Sequence, residues 1–207
     1  MDMKSQNNMR HYFIASEHDE KDFFQFNHEQ QGEHFSFTSC DDVFSKNQID
    51  FGSQVLIDTI IKYSSDYSGK ILDICCGYGT IGIILSRCLD VKFDMCDINS
   101  LAVKLASINV KNNHVNVDKV FESNMWENVD DTYSHIVSNP PIKVGKKVLL
   151  DFLGGIKNHL EKDGSVTIVI KKNLGADSTK KYLTDIFGNC EVLARIKGYY
   201  ILRSKNT

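Results

Sequence analysis

The sequence predicts an α/β fold, a mostly parallel sheet with helices on both faces. Three observations carry that prediction. From Lys70 onward, short apolar runs alternate with stretches of helical periodicity. A glycine-rich turn joins the first of those runs to the first of those helices. At the C-terminus, two apolar runs are separated only by Lys197-Gly198, a spacing that suits an antiparallel hairpin.

The elements follow in order. After a polar leader, Asp22 to Asn27 and Glu33 to Ser39 are aromatic-rich segments flanking a polar Gln30-Gln31-Gly32 turn. Phe35 and Phe37 alternate with polar neighbours, which predicts a hairpin. That hairpin is expected to pack against the sheet rather than cover a substrate. Asp50 to Tyr63 carries Val55, Leu56 and Ile60 at helical spacing, with Gly52-Ser53 as the start signal. Strands are then predicted at Ile71 to Ile74, Lys92 to Cys96, Lys119 to Glu122, Ser134 to Ser138 and Ser165 to Ile170. The intervening helices are Thr80 to Leu89, Ser100 to Asn112, Lys146 to His159 and Ser178 to Phe187. Parallel strands need such crossovers, and these are right-handed almost without exception. The closing hairpin pairs Val192 to Ile196 with Tyr199 to Arg203. At 207 residues the chain is expected to form one domain, with residues 1–50 as a hairpin extension and 51–207 as the core.

Composition narrows the function classes. Hydrophobic residues make up 42% and charged residues 25%, as in ordinary globular proteins. No apolar run approaches the roughly 20 residues that span a bilayer. Met1 to Arg10 has no apolar stretch resembling a secretory signal, so a cytoplasmic protein is expected. The six cysteines form no spaced CxxC pairs, and the histidines are scattered. Buried reduced thiols are expected, with no metal. The net charge is −3, but residues 139–207 hold 13 Lys/Arg against 6 Asp/Glu, a local excess of +7. Folding either gathers these cations on one face or mixes them into an ordinary surface; charge alone does not choose.

The turn Gly77-Tyr78-Gly79-Thr80-Ile81-Gly82 is a literal GxGxxG, and Asp97 follows Gly77 by 20 residues at the end of the next strand. That is the dinucleotide fingerprint. Asp73 opposes it, because a carboxylate at the end of that strand repels phosphates. The same group suits the ammonium and sulfonium of S-adenosylmethionine, with Asp97 on the ribose hydroxyls. The loop alone leaves both ligands open, or an unoccupied relic, and leaves Asp73 open as a helix-capping carboxylate.

The chain's only two prolines are adjacent and follow Asn139. An exocyclic amine is a poor nucleophile because its lone pair is delocalised into the ring. If the Asn139 amide oxygen and the Pro140 carbonyl accept both amine hydrogens, the nitrogen can pyramidalise towards a methyl donor. Both prolines lack an N–H, and Asn139 is held extended by the proline after it. Asn139, Pro140, Pro141 and Ile142 are therefore the candidate catalytic turn, acting as preorganised acceptors. A structural turn is the alternative.

Together, Asp73 to Gly79, Asp97-Ile98-Asn99 and Ser138 to Ile142 resemble the motifs of class I amine methyltransferases. Within that class the chain resembles the small-subunit ribosomal RNA guanine-N2 methyltransferases (the RsmC-like group), in their short form. Further matches are His11-Tyr12-Phe13, Val43-Phe44-Ser45, Ile49 to Ser53, Lys143 to Lys147 and Lys197 to Tyr200. The resemblance implies a Rossmann-like core of seven strands, the last antiparallel, and S-adenosylmethionine as cofactor. It further implies a guanine of 16S ribosomal RNA, free or in the small subunit, as substrate. Asp73, Cys75, Gly77 and Gly79 would line the methionine end, with Asp97 on the ribose and Ile98 beside the adenine. Asn124 would meet the adenine amine, and Asn139 would face both cofactor and base.

Three residues depart from the pattern: Cys75 where glycine is frequent, Asn124 where aspartate is, and Ile142 where related enzymes often have an aromatic that stacks on the base. Phe44 is the candidate to supply that stacking. Lys143 and Lys146 would meet the RNA backbone, or Lys146 and Lys147 form a solvated helical turn. Trp126 is expected to pack, and His11 to lie at the surface. A protein glutamine amide and adenine N6 are the alternative amines. A non-catalytic RNA-binding protein and a nicotinamide-dependent oxidoreductase are the rivals from other classes.

Overall fold

A computed structural model describes residues 23–41, 43, 47–142 and 145–207, the side chain of Lys146 excepted. Strands β1 (Phe23–Gln30) and β2 (Glu33–Cys40) form the expected hairpin. Its two-residue turn places Gln31 and Gly32 at φ 52° and 80°, matching the twist of the strands it joins. Helix α1 (Phe51–Lys62) follows. The alternation then runs β3 (Lys70–Ile74), α2 (Thr80–Leu89), β4 (Lys92–Asp97), α3 (Ser100–Asn113), β5 (Val117–Glu122), β6 (Tyr133–Ser138), α4 (Lys146–Gly155), β7 (Leu160–Lys171), α5 (Ala176–Phe187), β8 (Glu191–Ile196) and β9 (Tyr199–Lys205).

The large sheet has the order β5-β4-β3-β6-β7-β9-β8. The pairs from β5 to β7 are parallel, and β9 lies between β7 and β8, antiparallel to both. The closing hairpin is thus at the sheet edge, but its second strand is the inner one. The chain winds outward from β3 in one direction, then returns to β3's other side with β6. That reversal opens a crevice beyond the carboxyl ends of β3 and β6, where ligands bind in open α/β sheets.

Alternation along the strands divides the core in two. Ile71, Phe93, Met95, Val137, Val169 and Ile201 face one side, with Leu56, Ile60, Ile83 and Leu105 of the helices there. Leu72, Ile74, Ile136, Ile168, Ile170 and Leu202 face the other, with Phe152, Leu153 and Leu183.

Several boundaries differ from expectation, three of them in helices for a visible reason. Helix α1 is capped by Asp50, whose carboxylate accepts from the Ser53 N–H, so it begins before Gly52-Ser53. The predicted helix Lys146 to His159 is α-helical only to Gly155 and closes as a 3₁₀ turn over Ile156–His159. Helix α5 starts at Ala176, because Gly175 turns the chain at φ 106°.

The hairpin packs on α3, not on the sheet. Asn109 accepts from the Thr38 N–H at 2.7 Å and donates to its carbonyl at 3.0 Å. Asn113 does the same for Ser36, at 2.9 and 2.8 Å. The two amides satisfy backbone groups of β2 that would otherwise stand unpaired against a helix. Phe35 and Phe37, both buried, fill the space beneath.

Among the described residues no helix is long and apolar enough to cross a membrane, and no group of three His, Cys, Asp or Glu side chains could hold a metal ion. None of the six cysteines is in a disulfide; Cys40, Cys76 and Cys96 are buried, whereas Cys75, Cys88 and Cys190 are only half-buried. Trp126 packs as expected, stacked between Phe152 and His159 and donating its indole N–H to the Phe152 carbonyl at 2.9 Å.

Candidate active site

The predicted cofactor residues gather at the carboxyl ends of β3, β4 and β5. Asp73 is fully buried on β3 and faces α2, where its Oδ2 accepts from the Gly82 N–H at 2.9 Å. Gly79, the N-cap of α2, has no side chain to do this, so Asp73 caps the helix from outside. The capping role is real, yet it engages one oxygen only. Asp73 Oδ1 is buried with no hydrogen-bond partner. Burial raises the carboxyl's pKa to about 8, against the lowering effect of the Gly82 amide and with a further push from Asp97.

The turn is built to pass close to a ligand. Cys75, Gly77 and Gly79 adopt φ of 62°, 56° and 93°. A left-handed backbone explains why glycine would be easier at position 75, and Cys75 carries that strain. A Cβ on Gly77 would meet nothing within 4 Å, so the turn faces open space. Gly82 has another purpose, since a Cβ there would come within 2.5 Å of Met95 Sδ; its absence lets α2 lie close on β4.

Asp97 holds the turn from the neighbouring strand. Its Oδ2 accepts from the Gly77 N–H and its Oδ1 from the Asn99 N–H, both at 2.9 Å. Burial raises its pKa while these backbone donors oppose the rise. Ile98 is half-buried beside it. Asn124 is exposed after β5, and its Nδ2 donates to Glu127 Oε1 at 2.8 Å. Its amide oxygen is thereby the end left for a ligand.

Asn139 follows β6 on the other side of the crevice. Its Nδ2 donates to Asp50 Oδ2 at 2.8 Å and to Ser53 Oγ at 3.0 Å. A carboxylate only accepts, so the amide nitrogen must face Asp50 and the amide oxygen must face away. Pro140 is buried, and its carbonyl already accepts from the Ile142 N–H at 2.8 Å. That bond fixes the carbonyl's direction and leaves it a second lone pair. Ile142 is half-buried against the core. Sequence reasoning missed Asp50 and Ser53 as parts of this site. The signal within reach was a carboxylate three residues before a serine at a helix start. Of the candidate substrate residues, Phe44 and Lys143 lie outside the described residues, as does the Lys146 side chain.

A sheet of this order, with carboxylates near the ends of its first two strands and an Asn-Pro-Pro turn after the fourth, defines the class I S-adenosylmethionine-dependent methyltransferases. A family profile described as methyltransferase small domain matches residues 34–203. The uncharacterized protein YbxB of Bacillus subtilis (strain 168) is 40% identical over 174 residues, 83% of this chain and 86% of that one. The ribosomal RNA small subunit methyltransferase C of Colwellia psychrerythraea (strain 34H) is 31% identical over 183 residues, 84% of this chain but 48% of that one. The chain thus spans about half the length of that ribosomal RNA methyltransferase relative. Among solved structures, the Thermus thermophilus 16S rRNA N2 G1207 methyltransferase in complex with AdoMet and guanosine superposes with a TM-score of 0.80. It is 21% identical, over 89% of this chain and 51% of that one. The chain belongs to the methyltransferase small-domain family.

The cofactor is S-adenosylmethionine, and the residues present fit it. The unpartnered Asp73 Oδ1 is a buried acceptor that lacks a donor, which an ammonium supplies. The open face of Gly77 leaves room for the ligand's approach. A pyrophosphate brings only acceptors and would leave Asp73 Oδ1 without a donor.

Proposed function

We propose that this protein methylates the exocyclic N2 amine of a guanine in small-subunit ribosomal RNA, and that it works in the cytoplasm. The observation that carries the reading is the Asn139 amide, whose nitrogen is engaged by Asp50 and Ser53 so that only an acceptor faces the crevice. An acceptor there, next to the Pro140 carbonyl, asks for a substrate with two N–H donors on one atom. The similarity to a ribosomal RNA methyltransferase supports RNA, the likeness to the N2 G1207 methyltransferase suggests guanine, and Ile142 stands where a glutamine-directed enzyme would usually carry tyrosine.

Bound S-adenosylmethionine supplies an electrophilic methyl carbon on a sulfonium. The chain's own residues do the rest by binding and orientation. Asp73 Oδ1 takes the ammonium, with Cys75, Gly77 and Gly79 along the methionine end. Asp97 keeps lone pairs for the ribose hydroxyls beyond the two backbone donors it already serves. Ile98 lies against the adenine, and the Asn124 oxygen accepts its amine. Asn139 and Pro140 draw the target amine's hydrogens out of the ring plane, so its lone pair points at the methyl carbon. Pro141 and Ile142 hold the turn.

The test is methyl transfer from labelled S-adenosylmethionine to unmodified small-subunit particles and to free ribosomal RNA, followed by nucleoside analysis. The expected product is labelled N2-methylguanosine, absent with Asn139→Ala. Label on protein and none on either RNA would overturn the guanine assignment in favour of a glutamine amide.

A further inference from the structure

The three large hydrophobic side chains most exposed among the described residues are Phe51 (40%), Leu174 (38%) and Ile196 (41%). They come from three parts of the chain; Phe51 and Ile196 are joined through Tyr199, and Leu174 follows a turn tied to the same hairpin. Phe51 opens α1. Ile196 ends β8 and pairs with Tyr199 across the turn. Leu174 lies just after β7, where the Lys172 N–H donates to the Gly198 carbonyl at 2.8 Å and ties the two turns together. The rings of Phe51 and Tyr199 meet edge to face, with centroids 5.5 Å apart. A Cβ on Gly52 would come within 2.9 Å of the Tyr199 ring, so glycine is what lets that ring lie on the start of the helix.

Cations are set among these rings. Lys197 Nζ lies 5.2 Å from the Phe51 ring centre, Lys171 Nζ 5.5 Å from that of Tyr199, and the Arg195 guanidinium 5.1 Å from that of Tyr200. Lys172 is exposed beside them. Residues 164–176 and 192–207 contain no aspartate or glutamate. Among the described residues, none of these four cations makes an ion pair. The C-terminal charge excess therefore gathers, in part, on an apolar and aromatic ledge.

We propose that this ledge seats single-stranded RNA next to the base to be methylated, with bases on Phe51 and Tyr199 and phosphates on Lys171, Lys172 and Lys197. The proposal rests on the reading of RNA as substrate and adds the surface that holds it. Two observations select this occupant. The exposed Phe51 ring and the half-buried Tyr199 ring, interleaved with cations that make no ion pair among the described residues, match a chain of alternating base faces and phosphates, and a duplex hides those faces. The ledge also adjoins the catalytic turn, because Phe51 follows Asp50, whose carboxylate holds Asn139.

The experiment is fluorescence anisotropy of a short labelled single-stranded RNA of mixed sequence, titrated with the full chain at several salt concentrations. Lys171→Ala with Lys197→Ala should weaken binding about tenfold and flatten the salt dependence by roughly 0.7 in log–log slope per lost contact. Phe51→Ala should weaken it about tenfold with the slope unchanged. The same sequence as a duplex should bind more weakly and ignore Phe51→Ala. Calorimetric titration with S-adenosylhomocysteine checks that each variant keeps its fold. Variants that bind the single strand within about twofold of the parent protein overturn the ledge. So does loss, in the same variants, of binding to an acidic polypeptide when the parent ignores RNA; the partner is then a protein. The assay reads binding alone. Failure to methylate any RNA would sink the proposed reaction and leave the ledge standing, whereas unaltered binding beside an Asn139-dependent activity would sink only the ledge.

Discussion

The Asp50 carboxylate lies 2.8 Å from the Asn139 amide nitrogen, and that contact decides which end of the amide faces the crevice. The same Oδ2 accepts from the Ser53 N–H at 2.9 Å, so one side chain both caps α1 and orients the proposed acceptor. Asparagine caps helices as well as aspartate does, but it can also donate. Asp50→Asn should therefore keep the helix while freeing the Asn139 amide to flip. We expect kcat to fall about a hundredfold with S-adenosylhomocysteine affinity and thermal stability nearly unchanged, in line with losing one preorganised polar group. Stability and cofactor affinity falling together with kcat would make Asp50 merely structural.

Asp97 serves the turn and, on our reading, the ribose. Asp97→Ala should weaken S-adenosylhomocysteine binding at least tenfold, about 1.4 kcal/mol, by calorimetric titration. Affinity equal to the parent's would remove Asp97 from the cofactor site.

We predict that Asp73 makes cofactor affinity pH-dependent. Its carboxyl is raised to about 8 by burial in the ligand-free protein, so below that pH it is mostly neutral. An ammonium prefers the carboxylate. Affinity for S-adenosylhomocysteine should rise between pH 6 and pH 8, by at most about tenfold per unit. The linked effect on stability has the opposite sense: the raised pKa contributes stability that is lost as pH rises through about 8. Asp73→Asn should bind weakly and flatten the affinity profile; a profile as steep as the parent's would assign the titration to another group.

His135 governs stability on the acid side. Its Nδ1 lies 2.8 Å from Ser165 Oγ, its Nε2 accepts from the Ser68 N–H at 3.3 Å, and Tyr67 packs on the ring. Burial, helped by the Arg203 charge, lowers its pKa from 6.5 to about 4. The unfolded chain takes up a proton in that interval and the folded chain does not, so stability falls as pH drops from 6.5 to about 4, by about 3 kcal/mol in all. Urea midpoints across this range should slope clearly less for His135→Gln than for the parent.

Much of the sheet was readable from sequence because parallel strands are buried on both faces and appear as apolar runs. Lys70 to Ile74 and Tyr133 to Ser138 are of this kind. Strand β7 is longer than expected because Glu161, Lys162 and Asp163, just after its first residue, are all exposed and without alternation. Asp73, Asp97 and Asn139 stood out because each follows or ends a strand next to a glycine turn or prolines. All three lie at the carboxyl-end side of the sheet, and their roles are for the experiments above to test. The Asp50–Asn139 contact had no such signature, since 89 positions separate the two residues and only the folded sheet joins them. Asn109 and Asn113 likewise carry no local sign of their partners, although both are buried.

Those two asparagines make a helix act as a measuring rule for a strand. Residues four apart rise about 6 Å along a helix, and alternate residues of a strand are about 6.8 Å apart. Asn109 and Asn113 can therefore address Thr38 and Ser36 in matching order, each amide reading one donor and one acceptor. A slip by one residue would misalign both pairs at once, so the hairpin has a single seat. The rule is anchored in turn, because Asn99 caps α3 directly beside Asp97. The hairpin thus takes its bearings from the strand end that carries Asp97, and it cannot shift without α3 shifting with it.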